Sequence, residues 1–310
     1  MKNNTVSQFD ICGIGMSMVD LVQVVDAFPA NGGITEAGDN CLNGGGPVPT
    51  ALCTAAKLGA SVAVIDRVGD DWKGRLVRDE YLQYGVDTSC FQLESGKTTT
   101  FGSVLVRKED GERHVIFAPG NFTALETAEL PVPVLQSTRI LHVNGRHWPA
   151  CLDAADIVRE AGGLVSFDGG ANRYDPKFDE LLKKTDIAIV AREFAEKFCG
   201  TDDNATQLGE FVRTGAKIVG ITDGAEGSWF ATDEGEVFYQ PAFPVDRVVD
   251  TTGCGDAFHG GFLFGYSRDW SIRESAKFAS AVAALNAQGL GGRGNLPSLG
   301  EVADLIQHRK

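Results

Sequence analysis

The chain has 310 residues, 43% hydrophobic and 23% charged, with a net charge of −14. That length and composition suit one large globular domain, and so acidic a chain has no general attraction for nucleic acid or an anionic membrane surface. No run is long and apolar enough to span a bilayer, Met1–Phe9 lacks the apolar core of a secretory signal, and the seven scattered cysteines form no CxxC pair. Reduced thiols in a cytoplasmic protein are therefore expected, rather than a disulfide framework or a zinc cluster.

Phe9–Met16 is a short apolar run ending in glycines and predicts a first buried strand. Asp20 comes just after it and before LVQVV, a second strand candidate. This makes Asp20 either a turn acid or a substrate ligand, since α/β folds bind ligands at the carboxyl ends of strands. Residues 30–43 are polar and glycine-rich, and GGGPVPTALCTAAKLGA follows at 44–60. Its prolines suit a helix start, Thr50–Leu58 a helix and Gly59 its end; the three glycines make either a tight turn or a binding loop.

Ser61–Arg67 predicts a strand and Asp71–Tyr84 a helix stopped by Gly85. Lys97–Arg107 and Glu112–Phe117, around the turn at 109–111, predict a β-hairpin. We assign it, with the strand after Asp20, to a small sheet outside the main one. Further strands are predicted at 139–144, 164–168, 186–190 and 217–221, alternating with helices at 150–161, 176–184, 192–199 and 205–214. A second hairpin is predicted at 227–240, and helices at 255–267, 272–287 and 299–308. Repeated βα units with buried apolar strands predict a mostly parallel sheet covered by helices on both faces.

The stretch Asp250–Gly261 reads DTTGCGDAFHGG. A glycine turn feeding a helix presents free backbone N–H groups at the positive end of the helix dipole, which makes an anion site. Asp256, in the same turn, is placed to take a proton from a hydroxyl held beside the anion. The same residues also suit a plain capped helix. A thiol at a helix start can be activated, so Cys254 is either reactive or a passive small residue.

The pair GGGPVPTALCTAAKLG and VVDTTGCGDAFHGG resembles the two sequence motifs of the ribokinase-like (PfkB) carbohydrate kinases. RVGDDWKG at 67–74, ITDGAEGSWF at 221–230 and FASAVAALNAQGLGGRGNLP at 278–297 resemble further segments of that family, so the likeness runs along the whole chain. It implies a three-layer α/β/α fold, with a small β-sheet lid from about 17–44 and 97–120 inserted in one kinase domain spanning 1–310.

The resemblance implies an ATP-dependent sugar kinase. Asp256 would be the general base, and the backbone of Gly253, Cys254, Gly255 and Asp256 the anion hole. Asp20, Gly45, Gly46 and Thr50 match sugar-binding positions, with Thr50 standing where many members have Asn. Thr222, Gly224 and Gly227 match the nucleotide strand and loop, and Ser280, Ala283 and Ala284 the helix beside adenine. Asp250, Thr252, Asn286, Gly289, Gly291 and Asn295 match a loop pair that holds a monovalent cation, typically K⁺; Asp250 suits a helix-capping role nearly as well. Mg²⁺ is expected with the nucleotide. Ala191 and Phe194 replace the Asn and Glu that members often carry near it, so its surroundings should differ.

The loop GRHW places Arg146 as a candidate ligand for an anionic substituent, or as a structural ion pair. This loop, with GGGP, FHGG and GGRGNLP, looks most like the branch containing sulfofructose kinase and ketohexokinase-like enzymes. A ketose or acidic sugar derivative is the expected substrate, and a homodimer through the lid the expected assembly. A nucleoside kinase and a catalytically silent sugar-binding regulator are the alternatives. A P-loop lysine and a dinucleotide dehydrogenase are disfavoured, because GxxxxGK[ST] and an early GxGxxG are missing.

Overall fold

The computed structural model describes residues 8–308 apart from 31, 110 and 172. The first seven residues of the segment read for a leader, and Asp110 of the 109–111 turn, lie outside the described residues.

In chain order the first third contains β1 (Phe9–Ile14), β2 (Met18–Val25), β3 (Ala37–Gly45), α1 (Pro47–Lys57), β4 (Val62–Gly69), α2 (Trp72–Tyr84), β5 (Asp87–Glu94), β6 (Phe101–Arg107) and β7 (Arg113–Ala118). The middle adds α3 (Val132–Gln136), β8 (Thr138–Val143), α4 (Ala150–Glu160), β9 (Leu164–Gly169), α5 (Phe178–Leu182), β10 (Ile187–Ala191), α6 (Arg192–Cys199) and α7 (Asn204–Arg213). The last part holds β11 (Ile218–Thr222), β12 (Ser228–Thr232), β13 (Val237–Gln240), α8 (Cys254–Ser267), α9 (Ile272–Asn286) and α10 (Leu299–His308).

The main sheet has 9 strands in the order β13-β12-β11-β10-β9-β8-β1-β4-β5. It is parallel from β11 to β5, and antiparallel only at β11–β12 and β12–β13. Its strands read as continuous apolar runs because helices cover both faces. In β10, Ile187 and Ile189 join the core under α1, α8 and α9, while Ala188 and Val190 join the core under α4, α6 and α7. Phe262 of α8 is fully buried and stacks on Phe230 of β12 with centroids 5.6 Å apart, which fixes α8 against the sheet. Burying a side chain of that size stabilises by about 1.5–3 kcal/mol.

A separate sheet of 4 strands has the order β3-β2-β6-β7, with β2 and β6 parallel. It is built from the two segments assigned to it from sequence. Its own core is small: Val22, Val104 and Val106, with Cys41 and Leu290 packed against them.

Three local expectations change. Asp20 lies inside β2, opposite Asn43 of β3 and Gly102 of β6, and not in the connection after β1. The polar stretch 30–43 is strand from Ala37 onward, because a two-sided small sheet needs no apolar run. β5 was not anticipated; as an edge strand, it buries only Phe91.

Candidate active site

Helix α8 begins at the open, carboxyl side of the main sheet, where the chain leaves β1, β8, β9 and β11. Gly253 precedes it with φ 73°. A Cβ there would collide with the carbonyl oxygen of Gly292, so only glycine lets the two loops meet. No side chain caps the helix, so its first N–H groups are not taken by a capping side chain.

Asp250, fully buried, ties this turn to the loop after α9. Its Oδ1 accepts from the backbone N–H and hydroxyl of Thr252 at 2.8 and 2.7 Å, and its Oδ2 from Gly291 N–H at 2.9 Å. Asn286 adds a second tie. Its Nδ2 donates to the Gly292 carbonyl at 3.2 Å, and its Oδ1 accepts from Asn295 N–H at 3.3 Å. Asp250, Thr252, Asn286, Gly291 and Asn295 are thus brought together, and Gly289 sits in the same loop against Gly294 and Asn295.

Asp256 lies in the first turn of α8. Burial raises its pKa to about 6, aided by the negative charge of Asp168 and opposed by Arg173, His259 and Arg293. Asp168, at the end of β9, moves the other way: burial works against its ionisation, but His259 and Arg173 outweigh it and hold the carboxyl low. His259 Nε2 is 3.4 Å from Asp168 Oδ1, and the His142 ring is 5.2 Å from that of His259. Two neighbouring carboxyls are thereby pushed apart in acidity, one kept ionised and one poised near neutrality.

Asp20, on the small sheet, feels the same Arg293 charge as Asp256. A Cβ at either Gly45 or Gly102 would collide with its carboxylate oxygens, so glycine on both neighbouring strands is what leaves room for it. It has no hydrogen bond or ion pair among the described residues, and burial raises its pKa to about 6 against the pull of Arg293. Beneath it, buried Arg293 donates to Glu80 Oε2 at 2.7 Å, while both Glu80 oxygens accept from Gly44 N–H at 2.9 and 2.8 Å. Thr50 belongs to this network: its hydroxyl is buried and accepts from Arg293 Nε at 3.3 Å.

On the other rim, Arg146 follows β8 between two residues of positive φ, Gly145 and His147. The bend is held by buried His147. Its Nε2 pairs with Asp66 Oδ1 at 2.6 Å, and its Nδ1 accepts from Leu125 N–H at 3.0 Å. Arg146 has no ion pair among the described residues; burial and the nearby Arg173 both lower its pKa. The structural ion pair allowed from sequence is therefore not formed. At the far end, Thr222 closes β11, Gly224 and Gly227 turn the chain into β12, and Ser280 Oγ donates to the Pro241 carbonyl at 3.2 Å. Ala283 and Ala284, half-buried, follow on the same face region of α9.

A carbohydrate-kinase family model described as pfkB matches residues 8–299. The chain belongs to the pfkB family of carbohydrate kinases. A sugar kinase from Archaeoglobus fulgidus is 30% identical over 78% of this chain and 97% of its own. An ATP-dependent ribose-1-phosphate kinase from Halopiger xanaduensis is 28% identical over 94% of this chain and 95% of its own. Arabidopsis thaliana ribokinase, solved with ribose and ATP, superposes with a TM-score of 0.81 at 23% identity, covering 96% of this chain and 98% of that one. Membership of that family makes this protein a kinase of the carbohydrate-kinase type, and its fold is the ribokinase-like one.

As a pfkB kinase it shows two local departures. Ala191 is the residue before α6, and Phe194 is fully buried in an aromatic cluster with Phe167, Phe178 and Phe211. The Cys254 thiol is pushed up to about 12 by burial, then by Asp250 and Asp256, against the pull of Asn286 and Arg113. Sequence reasoning missed Asp168, His142, His259, Glu80, Arg173 and Arg293. Only His259 and Arg293 carried a signal, since they sit within the FHGG and GGRGNLP segments.

Proposed function

We propose that this kinase transfers the γ-phosphate of ATP to a sugar hydroxyl, with Asp256 as general base. The observation that carries the reading is a poised carboxyl in the first turn of a helix with no capping side chain. The hydroxyl proton passes to Asp256, the sugar oxygen bonds to the γ-phosphorus, and the bond to the bridging oxygen breaks to release ADP. The backbone of Gly253, Cys254, Gly255 and Asp256 stabilises the charge on the transferring group. Asp20, between Gly45 and Gly102, accepts sugar hydroxyls, with Gly46 beside it. Thr222, Gly224, Gly227, Ser280, Ala283 and Ala284 form the nucleotide side.

Mg²⁺ would enter on the ATP phosphates. Such an ion is held mostly by phosphate oxygens and water. For K⁺, the hard oxygen set around Asp250 and the 286–295 loop fits. Turnover in potassium that drops in tetramethylammonium supports that role, and equal turnover removes it. Unpaired Arg146 beside Arg173 favours a sugar carrying an acidic group, as does the name of the Halopiger relative.

The small sheet acts as a lid over the sugar. The outer strand β7 exposes Val115, Ile116 and Phe117, a patch suited to a second copy of the lid. A monomer by light scattering at working concentration would count against that dimer. Seven free cysteines suit a cytoplasmic setting. The test of the reading is ADP release across a panel of ketoses, acidic sugars and nucleosides. Release should require a sugar and vanish in Asp256→Asn; release that ignores both overturns the assignment.

A further inference from the structure

Arg113 opens β7, opposite Val106 of β6, on a strand whose residues are all exposed. No burial holds it against the α/β core. Its guanidinium nevertheless reaches the start of α8, where Nη1 donates to Thr252 Oγ1 at 3.0 Å. Thr252 Oγ1 donates its own hydrogen bond to Asp250 Oδ1 at 2.7 Å, and Thr252 immediately precedes Gly253. Arg113 is in no ion pair among the described residues. It is steered by a neutral hydroxyl and so keeps its full charge and its remaining N–H donors. That charge is felt at the helix start, where it opposes the burial that raises the Cys254 thiol. The same side of the small sheet meets the core a second time, where Cys41 Sγ donates to the Leu290 carbonyl at 3.3 Å.

We infer that Arg113 is a catalytic residue, a lid-borne guanidinium that hydrogen-bonds the transferring phosphoryl group beside the α8 N–H groups. The inference rests on the kinase reading above. Arg113 remains protonated throughout; the transferred proton goes to Asp256. Its charge matches the anion that grows at the phosphorus, where a positioned arginine gives its largest return. Because it arrives on the lid, closure over the sugar and completion of the anion hole become one event, which suppresses ATP hydrolysis without a sugar.

The test uses the full chain, ATP with Mg²⁺, and the sugar of the panel turned over fastest. Arg113→Ala should lower kcat about 10²–10³-fold, with KM for ATP and sugar changed less than about threefold. Added guanidinium ion should restore part of that kcat, and Arg113→Lys should fall between. In calorimetry with ADP, Mg²⁺ and aluminium fluoride, a mimic of the group in flight, Arg113→Ala should lose the extra affinity over ADP alone and keep its ADP affinity. A kcat within twofold of the native chain overturns the inference. So does a large kcat loss with the aluminium fluoride affinity intact, which marks Arg113 as a structural latch. Release of ADP that survives Asp256→Asn sinks the base assignment instead, and the two failures are told apart.

Discussion

Arg293 Nη1 and Glu80 Oε2 meet at 2.7 Å beneath the glycine run, and the same Glu80 carboxylate holds the Gly44 N–H. The pair is where α2, the 289–295 loop and the start of the sugar floor are joined. Arg293 is removed from water and Glu80 only partly so, which makes the arginine the more dependent of the two.

Arg293→Met should destabilise the fold by about 1–3 kcal/mol, because partly exposed Glu80 loses a charge-assisted hydrogen bond and keeps the Gly44 N–H. It should also raise the Asp20 pKa further, since Arg293 is the charge that now opposes burial there. Chemical denaturation gives the first effect, and an acid limb of kcat/KM shifted to higher pH gives the second.

Asp256 and Asp20 both have pKa values raised to about 6. In the proposed reaction both act ionised, one accepting a proton and one accepting hydroxyl hydrogen bonds. Below about pH 6 the fall in kcat/KM should steepen from tenfold towards a hundredfold per unit, and Asp20→Asn should leave only the gentler slope. Stability runs the opposite way. A carboxyl whose folded pKa exceeds its unfolded value binds more protons when folded, so the contribution of Asp256 to stability declines as pH rises from 3.8 to about 6. Asp256→Asn should be inactive yet melt at a higher temperature than the native chain at pH 7.

Arg146→Ala should raise KM for acidic sugars about 10–100-fold, the size of one or two charge-assisted hydrogen bonds, and leave neutral sugars alone. Lysine should rescue it only partly, because the fork of donors is lost. Equal changes for neutral and acidic sugars would remove the anion role.

Gly253→Ala should lose most of kcat and about 1–3 kcal/mol of stability, since φ 73° and the Gly292 carbonyl both exclude a side chain. Steady-state kinetics and thermal melting measure the two losses separately.

The architecture was legible because parallel strands buried on both faces read as apolar runs, as in Ile187–Ala191. The two glycine motifs were legible because Gly46 and Gly253 each have positive φ and sit where a Cβ would strike backbone. What was hidden is long-range and electrostatic. Nothing local in DWKGRLVRDEYLQY marks Glu80 as the partner of an arginine 213 positions away. Nothing local in GGGPVPT marks Arg293 as the donor to the Thr50 hydroxyl. The choice left open for Cys254, reactive or passive, turns on burial and two acids that the spacing does not reveal.

The junction of Gly253 with Gly292, stitched by Asp250 and Asn286, makes the two catalytic-side loops a single heritable block. A recombinant that takes residues 250–256 from one relative and keeps 286–295 from another should misfit at that seam, whereas one that exchanges both should work. In this scaffold new specificities would then arise by changing the lid and the rim around Arg146, while the paired loops travel together.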